Sequence, residues 1–325
     1  MVRRGGRALY CMARPARGTG LGNRLFPWAR SLVFARLGGA IPLEPRWFQP
    51  RLGPLLRGGI DLGHYHRSFL MMGLFRRRAE EIGGPRRIWI ERTAPRIAEP
   101  PTLDAAAAEG LSDGALVVFS GDRDYFGRLH GFEAFLRGCL EGMTRRRWLR
   151  QVDSLGEIPI ALHVRRGPDF PEVTPDDLVR PKGPVRTPLA WFRRTLEVIR
   201  GHIGHPARAL VVSDGPEKDL RELLAVENTL LVRPGCVISD LLVLTRARVL
   251  VGSGGSSFSA WGSFLGRMPT LSLPGQSLTW FGLGGQDAPY VGDFDPDHPP
   301  GPVMDEIGHA LEASGARAWE RSRDR

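Results

Sequence analysis

The chain has little cysteine, almost no lysine and no long hydrophobic run. Its cysteines, Cys11, Cys139 and Cys236, are few, widely spaced and odd in number. This pattern argues against a disulfide framework and against a zinc site, and we expect buried thiols in a reducing compartment. No run of about 18 or more apolar residues is present, so the sequence predicts no membrane-spanning helix. The apolar stretch behind the charged N-terminus is too short for a signal peptide, which predicts a cytoplasmic protein.

Lysine occurs twice, at Lys182 and Lys218, and arginine supplies the rest of the basic charge. The formal net charge is +10 at pH 7. The arginine bias, together with abundant alanine, glycine and proline, is typical of a GC-rich genome, so we predict no specific nucleic-acid partner. The arginine runs at 76–78 and 145–147 are interpreted as solvated surface. What remains is a modest preference for anionic partners, such as nucleotides, phosphates or lipid head groups.

The length of 325 residues is enough for two domains of ordinary size. A composition of 42% hydrophobic and 25% charged residues is that of a soluble globular protein. From 158 to 265 apolar strand patterns alternate with helical ones, which predicts a doubly wound sheet of parallel strands. The first half shows a strand, loop and helix over 7–38 and a strand at 115–120, whereas 39–101 has weak periodicity. We predict an α/β protein with domains at 1–150 and 151–325, joined near the polar stretch 145–156.

The first polar feature is the glycine-rich loop GTGLGN, which begins at Gly18 and lies between the first strand and the first helix. A dinucleotide-binding loop needs G-x-G-x-x-G and an acidic residue about twenty positions later, after the next strand. Here the glycines alternate, and Glu44 lies between prolines, so the sequence does not predict a dinucleotide fold. The glycines instead predict a backbone that passes close to something bulky, with Asn23 as a helix cap or a ligand donor.

A second feature is HVRRG, which follows the strand pattern IPIALHV. Ligands of parallel sheets bind beyond the carboxyl ends of the strands. The guanidiniums of Arg165 and Arg166 suit a diphosphate, or else they pair with Asp169 or Glu172 in a loop. His163 either orients a ligand or closes a backbone hydrogen bond.

Two more strand ends carry polar residues. In the loop GSGGSSF, Ser256 and Ser257 stand before a helix, where backbone N–H groups and hydroxyls make an anion site, cap the helix, or do both. In SDGPE, Asp214 either bonds the base or ribose of a nucleotide or caps the next helix. These segments predict one polar site at the edge of the second domain's sheet.

Taken together, these segments resemble the bacterial α-1,2-fucosyltransferases. GLGNRLFPWARSLVFARLG resembles that family's GGLGNQ-F-Y-A-ALA signature, HVRRGPDF resembles HVRRGDY, and SDGPE resembles SDD-E. DLLVLTRARVLVGSGGSSFSAWGSFLG is similar to D-LM-C-H-I-ANSSFSWWGA-L, and FSGDRDYFGRLHGFEAFLR is similar to GY-QS-KYF…I-F. The matches keep the family's order over residues 18–265.

The resemblance implies a GT-B fold, in which two Rossmann-like domains face each other, the first on the acceptor side and the second holding the nucleotide-sugar donor. It implies inverting transfer of L-fucose from GDP-fucose to a saccharide hydroxyl in α-1,2 linkage, without a metal or other cofactor. Polysaccharide biosynthesis is the implied setting, and it is compatible with contact at the inner membrane face or with a lipid-linked acceptor. The alternatives are a GT-B enzyme for another nucleotide sugar and a non-enzymatic protein that binds nucleic acid or a lipid surface.

The resemblance also implies the site residues by position. The arginines contact the donor diphosphate. The donor site on the second domain comprises His163, Arg165, Arg166, Ser256, Ser257 and Phe258, and the first domain presents Gly20, Gly22 and Asn23 to the donor. Beside the resemblance, we add Asp214 to the donor site from its position at a strand end, and Asp169 and Glu172 as the nearest candidates for the base that deprotonates the acceptor.

The chain departs from the family pattern at Arg24, Pro168, Gly255 and Ala260, where Gln, an uninterrupted Gly-Asp pair, Asn and Trp are usual. Pro168 changes the route of the loop that carries Asp169. Because these changes lie around the pocket, they leave open a different donor or acceptor.

Overall fold

The computed structural model describes residues 8–16, 18–47, 74–111, 113–167, 170–172, 185–285 and 287–323, with side chains described as far as 312. The described residues form two compact units that divide between Arg146 and Arg147. The residues before this point form unit 1 and those after it form unit 2. The division falls inside the polar stretch at 145–156, where the chain forms a helix rather than a loop.

Unit 1 contains a sheet of four parallel strands in the order β2-β1-β4-β3. Strand β1 pairs with β4 along its whole length, from Tyr10 opposite Leu116 to Arg14 opposite Ser120. The strands are β1 (Tyr10–Arg14), β2 (Ile41–Pro42), β3 (Arg96–Ala98) and β4 (Leu116–Ser120).

The helix predicted after the opening loop is confirmed as α1, Leu21–Gly38. It is buried along most of its length and ends at Gly39, whose φ of 67° lies in the left-handed region that glycine adopts without strain. The other helices of unit 1 are α2 (Gly84–Thr93), α3 (Ala105–Glu109) and α4 (Glu133–Met143). Helix α4 follows the strand predicted at 115–120 and buries Leu136, Cys139, Leu140 and Met143.

Helix α2 and strands β2 and β3 lie within 39–101, which the sequence left unassigned. The inward face of α2 consists of Ile90 and Arg87. Arg87 is buried because it forms an ion pair with Glu91 at 3.1 Å and donates a hydrogen bond from Nε to the Glu44 carbonyl oxygen at 2.8 Å. A buried face that includes an arginine gives no apolar periodicity, so the helix has no hydrophobic signature.

Unit 2 contains six parallel strands in the order β7-β6-β5-β8-β9-β10. With the unit 1 sheet, this confirms the predicted α/β class with parallel sheets. The strands are β5 (Ile158–Val164), β6 (Ala209–Ser213), β7 (Thr229–Leu231), β8 (Ala247–Gly252), β9 (Thr270–Ser272) and β10 (Val291–Asp293).

The helices of unit 2 connect these strands. Helix α5 (Arg146–Asp153) begins at the unit boundary, and α6 (Leu189–Ile203), α7 (Arg221–Leu224), α8 (Val237–Thr245), α9 (Ser257–Gly266) and α10 (Gly301–Arg323) follow. The stretch EKDLRELLAV has the apolar spacing of a single helix, but it forms a 3-10 turn at Glu217–Leu220 followed by the single turn of α7. The core of unit 2 packs residues such as Leu162, Phe192 and Val249 between the sheet and these helices.

The strand order of unit 2 reverses between β5 and β8. From β5 the chain proceeds outward through β6 and β7, and from β8 it proceeds outward through β9 and β10 in the opposite direction. Right-handed crossovers then put the helices that follow the two strands on opposite faces of the sheet. In sheets with such a reversal, ligands bind beyond the carboxyl ends of the two central strands.

The cysteines and the hydrophobicity of the described helices agree with what the sequence predicts. Cys11, Cys139 and Cys236 are free and buried, as predicted. Within the described part of the chain, no helix has both the length and the apolar character to cross a bilayer.

Candidate functional site

Ser253 joins the carboxyl ends of β5 and β8. Its backbone N–H and its Oγ both donate to the His163 carbonyl oxygen at 3.0 Å. The same Oγ accepts a hydrogen bond from the backbone N–H of Arg165 at 2.9 Å. Ser253 therefore fixes the direction in which the arginine pair leaves β5.

His163 is buried beneath this joint. Its Nδ1 lies 2.6 Å from the Ser259 Oγ of α9, and its ring lies 5.2 Å from the ring of Phe258. Burial, followed by the positive charge of Arg165, lowers the pKa of His163 to about 3. The imidazole is therefore neutral near pH 7 and contributes shape and hydrogen bonding but no charge. Of the two roles predicted for His163, the backbone hydrogen bond is not the one that Nδ1 makes, because this nitrogen contacts a side chain of α9. Orientation of a ligand stays a prediction.

Asp214 follows β6 and binds both arginine positions. Its Oδ2 lies 2.7 Å from Nη1 of Arg165, and its Oδ1 accepts the backbone N–H of Arg166 at 2.7 Å. The prediction that Asp214 caps the next helix is wrong, because the turn at Glu217–Leu220 begins after Pro216 and has no side-chain cap. A carboxylate beside two guanidinium-bearing residues instead holds the loop after β5 against the loop after β6.

The two arginines differ in their partners. The guanidinium of Arg165 pairs with Asp214 and lies 4.7 Å above the ring of Phe170. Arg166 is half-buried, and its buried Nε has no hydrogen-bond partner among the described residues. In that same part of the chain no carboxylate lies within ion-pair distance of its guanidinium. Arg166 thus keeps donors available for an anion.

The charges around Arg166 partly balance. Burial is the largest cause that lowers the pKa of its guanidinium, and Arg186 lowers it further, whereas carboxylates, with Glu172 first, raise it. A guanidinium stays protonated at physiological pH even when it is half-buried. Arg166 is therefore a partly desolvated cation beyond the carboxyl end of β5, and its desolvation strengthens its attraction for a phosphate oxygen.

The loop after β8 leads into the N-terminus of α9. Ser256 is the N-cap, and its Oγ accepts the backbone N–H of Ser259 at 3.4 Å. Ser257 is the first residue of the helix. Of the predicted cap and anion-binding roles, the cap is therefore present at Ser256. Anion binding by the other first-turn N–H groups, which have no acceptor within the helix, stays a prediction.

Gly254 allows this loop to approach the chain after β9. A Cβ at this position would lie 2.3 Å from the carbonyl oxygen of Gln276, a distance that no side chain tolerates. The next residue, Gly255, has a φ of 65°. The glycines of this segment are thus required by a close approach of backbones and by a left-handed turn.

Ser213 and Arg233 are among the residues of the site that sequence reasoning missed. Ser213 donates from Oγ to the Val164 carbonyl oxygen at 2.7 Å and accepts the Gly215 N–H at 3.1 Å, so it joins the ends of β5 and β6. Arg233, which follows β7, donates from Nη2 to the Gly215 carbonyl oxygen at 3.2 Å. Their positions in the sequence could have identified them, because each lies at or just beyond the carboxyl end of a strand.

Of the two residues predicted to deprotonate the acceptor, the structure describes only Glu172. Asp169 lies outside the described residues. Glu172 has a side chain 70% exposed and pairs with Arg186, to which it is also joined by a backbone bridge. The sequence offered, as an alternative, an ion pair between Glu172 and Arg165 or Arg166. The partner of Glu172 is instead Arg186.

The predicted donor-facing residues of unit 1 lie at the start of α1. Gly20 is the N-cap, with no side-chain cap, and Gly22 is buried in the first turn. Asn23 is an exposed residue inside that turn, so the prediction that it caps the helix is wrong. Its alternative role as a ligand donor stays a prediction.

No group of three or more histidine, cysteine, aspartate or glutamate side chains that could hold a metal ion occurs among the residues that the structure describes. The positive charge of the site comes from arginines.

A scan of protein-family models gives no match, and a search of curated proteins gives none either. Among solved structures, the chain is similar to NodZ α-1,6-fucosyltransferase co-crystallised with GDP, with 14% identity and a TM-score of 0.48 over 82% of this chain and 95% of that chain. It is similar to POFUT1 in complex with GDP-fucose, with 12% identity and a TM-score of 0.43 over 83% and 98%. It is also similar to a mutant of Arabidopsis thaliana FUT1 in complex with GDP, with 12% identity and a TM-score of 0.41 over 83% and 72%. These similarities assign no role to any residue of this chain.

Proposed function

We propose that the chain is a glycosyltransferase that transfers L-fucose from GDP-fucose to a hydroxyl of a saccharide acceptor. One observation carries the proposal: Arg166, which makes no ion pair with any residue that the structure describes, follows the carboxyl end of β5, and the neighbouring strand β8 leads into the N-terminus of α9. A helix N-terminus and a guanidinium fork are complementary to a diphosphate. The sequence motifs supply the identity of the nucleotide sugar.

The chemical demand of the reaction matches this site. As the bond between the sugar C1 and the diphosphate oxygen breaks, negative charge grows on the leaving diphosphate. Arg166 and the first-turn N–H groups of α9 are the groups proposed to stabilise that charge. Arg165 adds a second positive charge beside the diphosphate. Its ion pair with Asp214 also holds the loop after β5 in place.

Inversion requires attack from the face of the sugar opposite the diphosphate. The acceptor hydroxyl forms the new bond to C1 while a carboxylate takes its proton and GDP departs. Asp169 and Glu172 are the proposed bases. The exposed pair of Glu172 with Arg186 favours Asp169 for this role.

The remaining parts of the proposal are supported by the motif resemblance. Unit 1 is proposed as the acceptor-side domain and unit 2 as the donor domain of a GT-B enzyme. Gly20, Gly22 and Asn23 are proposed to face the donor. Transfer in α-1,2 linkage, metal independence, a cytoplasmic location and a place in polysaccharide biosynthesis belong to the same proposal.

The test is a hydrolysis and transfer assay over a panel of nucleotide sugars with metals chelated, joined to thermal-shift measurements with GDP, UDP, ADP and dTDP. A ligand that binds only the native state raises the melting temperature. We expect a shift with GDP and turnover of GDP-fucose with the chelator present. A shift with UDP or dTDP alone would reassign the donor, and no shift with any nucleotide would refute the transferase proposal.

A further inference from the structure

One face of helix α2 packs against the rest of unit 1. Ile90 is buried in a cluster with Met12, Leu43 and Leu116. Arg87, on the same side, is held by its ion pair with Glu91. The helix is therefore fixed to the sheet, and its opposite face is a rigid surface.

That opposite face carries large apolar side chains in water. Pro85, Ile88, Trp89 and Arg92 recur at the spacing that brings residues onto one side of a helix. Ile88 is 43% exposed and Trp89 is 64% exposed. Among the described residues Trp89 is the most exposed large hydrophobic side chain. Isolated apolar residues on a surface are ordinary, but two neighbours on one helical face form a patch.

The charge around this patch has one sign. Residues 84–96 contain four arginines and one acidic residue, Glu91. The carboxylate of Glu91 is bound by Arg87 at 3.1 Å and by Arg46 at 2.7 Å, and its backbone oxygen accepts from Arg96 at 2.9 Å. The exposed residues Arg86, Ile88, Trp89, Arg92 and Arg96, here called the α2 surface, therefore present an apolar centre with a cationic rim.

We propose that the α2 surface docks on a bilayer that contains anionic phospholipid. Tryptophan partitions to the level of the lipid head groups, where its ring is apolar and its N–H remains hydrated. The arginines face the head-group phosphates, each adding attraction to the anionic leaflet. Weak apolar insertion and weak electrostatic attraction act together, which gives reversible association with the membrane surface.

Docking would bring unit 1 to the surface where lipid-linked saccharides are found. Only this benefit of docking rests on the proposed transferase function. The docking itself requires no nucleotide sugar. Its test can therefore fail while the transferase proposal stands, and the reverse is equally possible.

The experiment is co-sedimentation of the full chain with vesicles of phosphatidylcholine, with and without phosphatidylglycerol, at low and high salt. We expect binding to the anionic vesicles that weakens as salt increases. Trp89→Ala should lower the partition constant roughly tenfold, because it removes most of the inserted apolar area. Arg86→Gln and Arg92→Gln should each lower it about fivefold.

The matched control is Trp280→Ala, which removes a tryptophan of similar exposure, 52%, from the 3-10 turn Thr279–Phe281 of unit 2. Its vesicle binding should equal that of the wild type. Because Trp89 is on the surface, its variant should keep the wild-type melting temperature, which excludes loss of binding through unfolding.

Several outcomes would overturn the proposal. These are absence of binding to anionic vesicles, equal binding to neutral vesicles, and equal losses in the Trp89 and Trp280 variants. Sedimentation velocity adds a further one: a self-association that Trp89→Ala abolishes while vesicle binding persists would make the α2 surface an interface between copies of this chain.

Discussion

Each unit holds an arginine whose guanidinium lies near the carboxyl ends of parallel strands, and the two differ in how their charge is used. In unit 1, Arg30 is fully buried and binds both carboxylate oxygens of Glu99, at 2.6 and 3.1 Å. Its other donors reach the carbonyl oxygens of Ser120, Gly121 and Arg123. In unit 2, Arg166 has no ion pair within the described part of the chain.

The contrast distinguishes an arginine that maintains the fold from one that can bind a ligand. Each of the three guanidinium nitrogens of Arg30 has a protein acceptor, and the charge of the group is neutralised by Glu99. Arg166 is partly desolvated and has a buried Nε that no described residue satisfies. A desolvated cation in that state gains free energy when an anion enters. The same residue type near equivalent strand ends therefore supports structure in one unit and proposed chemistry in the other.

The largest expected effect is on stability, in unit 1. Arg30→Met removes the ion pair and leaves Glu99 buried with Arg128, at 2.6 Å, as its remaining partner. We expect a loss of about 3 kcal/mol in the free energy of unfolding, at the low end for breaking a buried pair. Urea denaturation measures it. The comparison between the two arginines would fail if Arg30→Met unfolded at the same urea concentration as the wild type.

The next effect is on activity, in unit 2. Arg166→Met should lower turnover of GDP-fucose on the order of a hundredfold, because one preorganised charge contact to the leaving diphosphate is lost. Its urea midpoint should stay close to that of the wild type. The matched control is Arg194→Met, which changes an exposed arginine on α6 that pairs with Asp297 and Glu197. Equal activities in the two variants would remove Arg166 from the proposed mechanism.

A third effect is a pH dependence of stability that arises in unit 2. The folded pKa of His163 is about 3, below its ordinary value of 6.5. Between these values the unfolded chain binds more protons, so stability falls as pH decreases from 6.5, by about 1.4 kcal/mol per pH unit where the slope is steepest. His163→Gln should show a flatter profile over this window. Parallel profiles for the variant and the wild type would contradict the neutral, buried imidazole.

Unit 1 should show the opposite sign. Burial raises the pKa of Glu81 to about 7, from an ordinary value of 4.5. The folded chain binds more protons between these values, so stability falls as pH increases from 4.5 to 7. Glu81→Gln should therefore gain stability relative to the wild type at pH 8 and equal it near pH 4, in thermal or urea unfolding. A constant difference at both pH values would assign the effect to packing.

The smallest effect is expected at Glu172. Its carboxylate is exposed and pairs with Arg186, and surface pairs of this kind contribute about 1 kcal/mol or less to stability. Glu172→Gln should lower GDP-fucose transfer by less than about tenfold, because a group that is bound to an arginine and open to water is a poor general base. A loss of a hundredfold or more in the steady-state rate would instead identify Glu172 as the base.

Sequence reasoning succeeded where burial leaves a periodic signal. The strands of unit 2 appear as uninterrupted apolar runs between helical patterns, and β5, β6 and β8 lie where these runs were identified. It failed for α2, where the inward face is shared by Ile90 and an arginine. Burial of Arg87 depends on Glu91 and on a carbonyl oxygen more than forty positions earlier in the chain. Such long-range compensation has no local pattern.

The candidate site shows the same division. The ends of buried strands could be located from the sequence, and with them His163, Arg165, Arg166 and the serine loop. The pairing of Asp214 with Arg165, and the joints made by Ser253, could not. These contacts join residues that are 49 and 88 to 90 positions apart in the chain.

The sequence by itself determined the α/β class, the parallel strands of unit 2 and the places where polar side chains leave those strands, because apolar periodicity and strand-end chemistry are local properties. Only the tertiary structure decided which arginine is neutralised, which histidine is neutral and which tryptophan faces water. Those outcomes depend on the carboxylates, carbonyl oxygens and packing surfaces that folding brings together from distant parts of the chain, and these set the local solvation and charge.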